Sequence, residues 1–162
     1  MPSQEELQLL IDKMAIQELA VRYCDATTRG DWDAFASLWM PDGVWAESAP
    51  FSGGFSGVAE IRNRSKAMLD AQDVFIQICH GVVIEEISGN HARAHATVQG
   101  IARGLHGSCI NHVIFKDRLV KSDGIWRYAS RDLHNIYYDD TALAGKRVLT
   151  RDEVAAVCRV EG

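Results

Sequence analysis

The stretch VFIQICHGVVIEEISGNHARAHATVQGIAR, residues 74–103, is where the chain changes to a period of two. Alternating residues here suit the two faces of a strand, and Ser88-Gly89-Asn90 supplies a tight turn midway. Alternation broken by a glycine-containing turn reads as two antiparallel strands. The same reading carries downstream, so that strands are expected near 74–87, 91–103, 108–121 and 125–138, with further turns at Gly104 to Gly107 and Ser122-Asp123-Gly124.

Upstream the spacing is helical. Ser3-x-x-Glu6 forms a capping box, and Leu7, Leu10, Ile11 and Met14, then Leu19, Ala20, Tyr23 and Thr27, predict a long helix ending near Thr28. Gly30 stops it, Asp31 caps a short second helix carrying Phe35, Leu38 and Trp39 on one side, and Pro41-Asp42-Gly43 is expected to close that helix. Val44 to Glu47 reads as a short strand, and 48–57 as a Gly/Ser-rich loop whose Phe51 and Phe55 suit a lid. A third helix is expected over roughly 58–69, with Ile61, Met68 and Leu69 inward. Helices first and a meander afterwards give an α+β domain. Residues 1–162 are expected to form a single domain with its core at about 10–140, and the tail, 141–162, to add a short helix after the Thr150-x-x-Glu153 capping box.

Composition narrows the partners. With 47 % hydrophobic residues the chain has ample material for one core, and a formal charge of −5 without clustered Lys, Arg and aromatics argues against nucleic acid. No window approaches a membrane span and the acidic N-terminus does not resemble a leader, so a soluble, cytoplasmic protein is expected. Cys24, Cys79, Cys109 and Cys158 stand far apart and read as small buried hydrophobes, while the six histidines lack zinc spacing. No metal, cofactor or Gly-rich phosphate loop is indicated.

The order of long helix, RGDWDAF corner (29–35), PDGVW strand (41–45), third helix and meander ending in SDGIWRYASR (122–131) resembles the SnoaL-like branch of the nuclear transport factor 2-like superfamily over roughly 10–140. That resemblance implies a strongly curved, cone-shaped sheet, with helices on its concave face around an apolar pocket. Its relatives include polyketide cyclases, scytalone dehydratase, hexachlorocyclohexane dehydrochlorinase, ketosteroid isomerase and bile acid dehydratase, and also non-catalytic members. Fold and pocket are thus implied more strongly than any one reaction.

Several residues take candidate roles from this resemblance. Tyr23, on the apolar stripe of the first helix, is similar to the tyrosine that donates a hydrogen bond to substrate oxygen; the competing reading is a phenol bonded to backbone. His80 interrupts an apolar strand where the dehydratases and the dehydrochlorinase place their general base. Their partner aspartate is replaced by Thr28, whose hydroxyl can orient a ring but cannot neutralise it; Asp25, one turn earlier, lies off the stripe. Glu47 falls where ketosteroid isomerases carry a carboxylate base, and alternation puts it on one side with Trp45. Trp45, Phe51, Val113 and Phe115 are expected to shape the cavity, with Asn111 and Asp117 on the same inward face as the last two. Arg131 resembles a pocket arginine of bile acid dehydratases, or pairs with Asp132 or Asp117 outside.

The opposite face carries Arg93, His95, Thr97 and Gln99 on one strand and Ile110, His112, Ile114 and Lys116 on the next, a mixture suited to a homodimer or homotrimer interface. The leading expectation is a cofactor-free proton-transfer enzyme, a dehydratase or double-bond isomerase, acting on a small apolar cyclic oxygenated molecule. The alternatives are a non-catalytic binder with the same pocket and a small structural subunit of an oxygenase.

Overall fold

The computed structural model describes residues 1–49, 51–105 and 107–159. Pro50 in the expected lid, His106 in the expected turn from Gly104 to Gly107 and residues 160–162 of the tail lie outside the described residues.

Helix α1 spans Gln4–Arg29. Ser3 Oγ accepts from the Glu6 N–H, the Glu6 carboxylate accepts from the Ser3 N–H at 2.7 Å, and Gly30 ends the helix at φ 70°. Such a left-handed terminus is where glycine avoids a steric penalty. The phase of α1 differs from the expected stripe. Its core face consists of Ile16, Leu19, Ala20, Tyr23, Cys24 and Thr27, whereas Leu7, Leu10, Ile11 and Met14 are exposed. Asp12 explains the rotation: buried, it accepts from Lys121 Nζ at 2.8 Å and from Trp126 Nε1 at 2.9 Å. A paired charge turned towards the sheet carries the apolar residues of the first turns away from it.

Helix α2, Trp32–Ser37, is capped by Asp31, whose carboxylate accepts from the Ala34 N–H. Strand β1 then runs Trp39–Glu47, so Trp39 belongs to a strand and not to α2. The turn chemistry of Pro41-Asp42-Gly43 produces a shift of register against the neighbouring strand between Trp39 and Val44, in place of a helix stop. A short β2, Gly53–Ser56, occupies part of the expected loop. A Cβ on Gly54 would meet Trp45 O at 3.1 Å, so glycine allows this close approach to β1.

Helix α3, Val58–Asp70, precedes the four long strands β3 Gln72–Ser88, β4 His91–Gly104, β5 Gly107–Ser122 and β6 Ile125–Asp139, and α4, Arg151–Val157, follows them. One sheet has the order β2-β1-β6-β5-β4-β3, antiparallel except where β1 runs parallel to β6. Bulges interrupt the β3/β4 and β5/β6 ladders, and such irregularities bend a sheet. The curved, open sheet packs its concave side on α1 and α3, the cone of the nuclear transport factor 2-like fold. At its centre Tyr23 meets Phe35 at 5.3 Å and Phe115 at 5.6 Å between ring centroids, while Trp39 meets Tyr128 at 5.2 Å. Among the described residues no helix is long and apolar enough to cross a membrane.

Candidate active site

A cavity of about 200 Å³ lies between α1, α3 and the concave face. Trp45, Phe75, Phe115 and Leu133 form its apolar wall, and Tyr23, Thr27, Glu47, Gln77 and Asn111 bring polar groups to it. Trp45 and Glu47 enter together because they alternate onto one face at the end of β1.

Glu47 is the carboxylate of this cavity. Burial raises its pKa above the ordinary value, opposed only by the Asn135 side chain, whose amide donates to Oε1 over a long 3.5 Å. Among the described residues it makes no ion pair. Tyr23 is buried in the wall, and burial pushes its phenol up to about 12, with Arg131 and the Trp45 side chain pulling the other way. The phenol therefore stays protonated near neutral pH, so its O–H is available to donate.

Adjacent threonines take different environments. Thr27 lines the cavity, its hydroxyl 3.0 Å from the carbonyls of Tyr23 and Cys24 and 2.9 Å from Gln77 Oε1. Thr28, expected in the cavity, is instead tied to the strand: its hydroxyl accepts from the Gln77 N–H at 3.0 Å, and the residue borders a neighbouring cleft. A step of one residue turns a helical side chain by about 100°, which separates the two. On the opposite wall Asn111 lies over Gly100, where a Cβ would come within 2.4 Å of Asn111 Oδ1, so the glycine makes room for the carboxamide.

Other expected residues lie elsewhere. His80 is exposed on the outer face, its ring stacked at 6.2 Å on that of His112. Alternation along β3 sends Cys79 inward and His80 outward, and a bulge between Cys79 and Gly81 then resets the phase. Phe51 is exposed and packs on Tyr138 at 5.1 Å; Phe55 is the ring that stacks on Trp45, at 5.2 Å and 10°. Val113 faces inward but is packed into the core without lining the cavity, and Phe115 does line it. Met68 lines the cavity while remaining half exposed. Asp25 pairs with Arg29 on the surface. Of the cysteines, Cys24 is buried, Cys79 and Cys109 are half-buried and Cys158 is exposed.

Arg131 is fully buried, not part of an outer ion pair. Its Nε and Nη2 donate to the two oxygens of Asp117 at 2.8 and 2.9 Å, and its guanidinium lies 4.2 Å from the centroids of Tyr23, Phe115 and Tyr128. Burial raises the Asp117 pKa, with Arg131 opposing. Among the described residues Nη1 of Arg131 has no hydrogen-bond partner. The residues that sequence reasoning passed over are Thr27 and Gln77. The signal for Gln77 was a lone amide in the apolar run FIQIC.

Among the described residues no group of three or more His, Cys, Asp or Glu side chains is arranged to hold a metal ion. Residues 8–132 match the SnoaL-like domain family. No curated protein matches the chain. Among solved structures, the chain is similar to a scytalone dehydratase-like protein from Novosphingobium aromaticivorans (TM-score 0.73, 19% identity, 83% of this chain and 90% of that one). It is also similar to hexachlorocyclohexane dehydrochlorinase LinA-type3 from Novosphingobium barchaimii (0.75, 18%, 88% and 97%). A third similar structure is a protein of unknown function from Mycobacterium tuberculosis (0.70, 24%, 93% and 86%).

Proposed function

We propose that this chain, which belongs to the SnoaL-like domain family, is a cofactor-free enzyme that moves a proton on a small, largely apolar, oxygenated molecule. The observation that carries this reading is the shared cavity of Glu47 and Tyr23: a half-buried carboxylate with no cationic partner among the described residues, lining the same space as a phenol held neutral. Ionised Glu47 takes a proton from the carbon next to a carbonyl, and the electron pair moves onto the carbonyl oxygen. Tyr23 donates a hydrogen bond to that oxygen as its charge grows. Protonated Glu47 then returns the proton, either to another carbon, which shifts the double bond, or to a departing hydroxyl, which eliminates water. Trp45 and Phe115 exclude solvent around the pair. Elimination is consistent with the dehydratase and dehydrochlorinase among the similar structures. The reading treats residues 1–162 as one functional domain. It also has copies associate through the outer sheet face, where Ile76, Ile78 and Val83 are exposed.

A second reading has a specific observation behind it. With His80 outside and Thr28 bonded to the strand, the histidine–acid pair of the dehydratases is not assembled, which favours a non-catalytic binder. One experiment separates the two. Cyclic enones and β-hydroxy ketones are incubated with the protein in D2O and followed by NMR. An enzyme incorporates deuterium next to the carbonyl, and Glu47→Gln lowers that rate by about 10²-fold or more, the scale of a lost general base. Binding without exchange establishes the binder. Equal exchange by wild type and Glu47→Gln removes the proposed base.

A further inference from the structure

A second cavity lies under the C-terminal segment. The extended chain after β6 crosses the ends of β3 and β4 and is held by specific bonds: the Leu143 N–H donates to Ser108 Oγ at 3.2 Å, and Arg103 donates to the carbonyls of Leu143 and Gly145. Farther on, Arg147 donates to Asp73 O at 3.0 Å and Arg151 to Leu69 O at 3.0 Å. The space beneath has a volume of about 670 Å³, against about 200 Å³ for the inner cavity, and Gln72 and Phe75 border both.

Size and charge identify what this space suits. Pockets for drug-sized ligands occupy about 300–1,000 Å³, so the inner cavity is too small for such a molecule and the outer one is not. Phe75, Ile101, Leu143, Leu149 and Val154 make an apolar lining. Around it stand four cations, Arg103, Lys146, Arg147 and Arg151, against two carboxylates, Asp70 and Asp73. Both carboxylates are answered, Asp70 by Lys66 and Arg151 and Asp73 by Arg103 and Arg147, while Lys146 forms no ion pair among the described residues. In a chain of formal charge −5 this is a local excess of positive charge, and such an excess raises the local concentration of anionic ligands.

We infer that the cavity under the C-terminal segment binds the apolar body of an amphiphilic monoanion, a carboxylic acid in the simplest case, with the acid group at Lys146. The inference deepens the proton-transfer reading, on which it rests for the statement that the other end of the ligand enters the cavity of Tyr23 and Glu47. The substrate is then an amphiphilic acid that spans Gln72 and Phe75.

Calorimetric titration with decanoate and with decan-1-ol, below their aggregation concentrations, tests this. Decanoate is expected to bind wild type at least fivefold tighter than the alcohol. Lys146→Glu, an exposed change that leaves the core untouched, removes that preference without weakening the alcohol. Ile101→Trp fills the cavity and weakens both ligands at least tenfold. Decanoate binding no tighter than the alcohol, or unchanged by Lys146→Glu, overturns the inference, as does equal weakening of both ligands by Lys146→Glu. Failure of the Glu47→Gln exchange experiment alone would remove the chemistry and leave this cavity standing.

Discussion

Removing the acid of the Arg131–Asp117 pair should be among the most damaging single changes in this protein. Arg131 is fully buried and Asp117 nearly so, and the guanidinium is otherwise surrounded by the rings of Tyr23, Phe115 and Tyr128. Deleting one partner of a buried pair typically costs about 3–5 kcal/mol, because the remaining charge stays desolvated. The aromatic faces can offset part of this, at about 0.5–2 kcal/mol for a cation over a ring, which places Asp117→Leu near the lower end, ~3 kcal/mol. At about 2–4 °C per kcal/mol for a chain of this size, Tm should fall by roughly 6–12 °C. The double variant Asp117→Leu/Arg131→Met replaces both charges by apolar groups and should recover to within about 1 kcal/mol of wild type. Urea unfolding of wild type, both single variants and the double closes the cycle. A loss under about 1 kcal/mol for Asp117→Leu, or a double variant as unstable as the sum of the singles, would refute the assignment of a dry, coupled pair.

Two predictions concern pH. Burial raises the Glu47 pKa, so folding favours its neutral form and wild-type stability is lost as pH rises through the folded value; Gln stays neutral. Glu47→Gln should therefore match wild type near pH 4 and melt higher at pH 8, and thermal melts in which the gap fails to grow contradict the desolvated placement. Asp12 behaves oppositely. Burial would raise its pKa, but hydrogen bonds from Lys121 and Trp126 leave it lowered, so its contribution is present above the ordinary value of 3.8 and is lost as pH falls through the folded value. Asp12→Asn should cost about 1.5–3 kcal/mol at pH 7, the scale of hydrogen bonds to a charged group, and the difference should shrink in urea titrations at pH 3; a gap independent of pH would count against it.

Most of the architecture was legible because its determinants are local. The Ser3–Glu6 box, Gly30, Asp31 and the turns at Ser88-Gly89-Asn90 and Ser122-Asp123-Gly124 act within a few residues, and the strand periods follow from them. Phase was the harder quantity. In FIQICHGVVI both faces of β3 are apolar, since Ile76, Ile78 and Val83 point outward while Phe75 and Val82 pack on the core, so composition cannot say which face His80 joins. A slip of one residue exchanges the faces, and the bulge after Cys79 is set by tertiary pairing with β4. The same limit applies to α1, where contacts to Lys121 and Trp126, more than a hundred residues away in sequence, fix the rotation. Trp45 and Glu47 were placed together because they lie two apart on one strand.

The buried ion pair and the cavity meet at Tyr23, and this juxtaposition bears on why a charged pair occupies the core at all. Such pairs rarely exceed apolar replacements in stability. Arg131, however, lies 4.2 Å from the Tyr23 ring, and its charge lowers a phenol pKa that burial alone would raise further. A phenol with a positive charge behind it is a better donor to an oxygen that gains negative charge, which is a role for the pair beyond filling the core that experiment can test. The Asp117→Leu/Arg131→Met variant separates these roles. If the pair serves only to fill the core, its removal leaves both fold and exchange chemistry near wild type. If it polarises Tyr23, stability returns in the double variant but the exchange rate does not, and the phenol titrates higher.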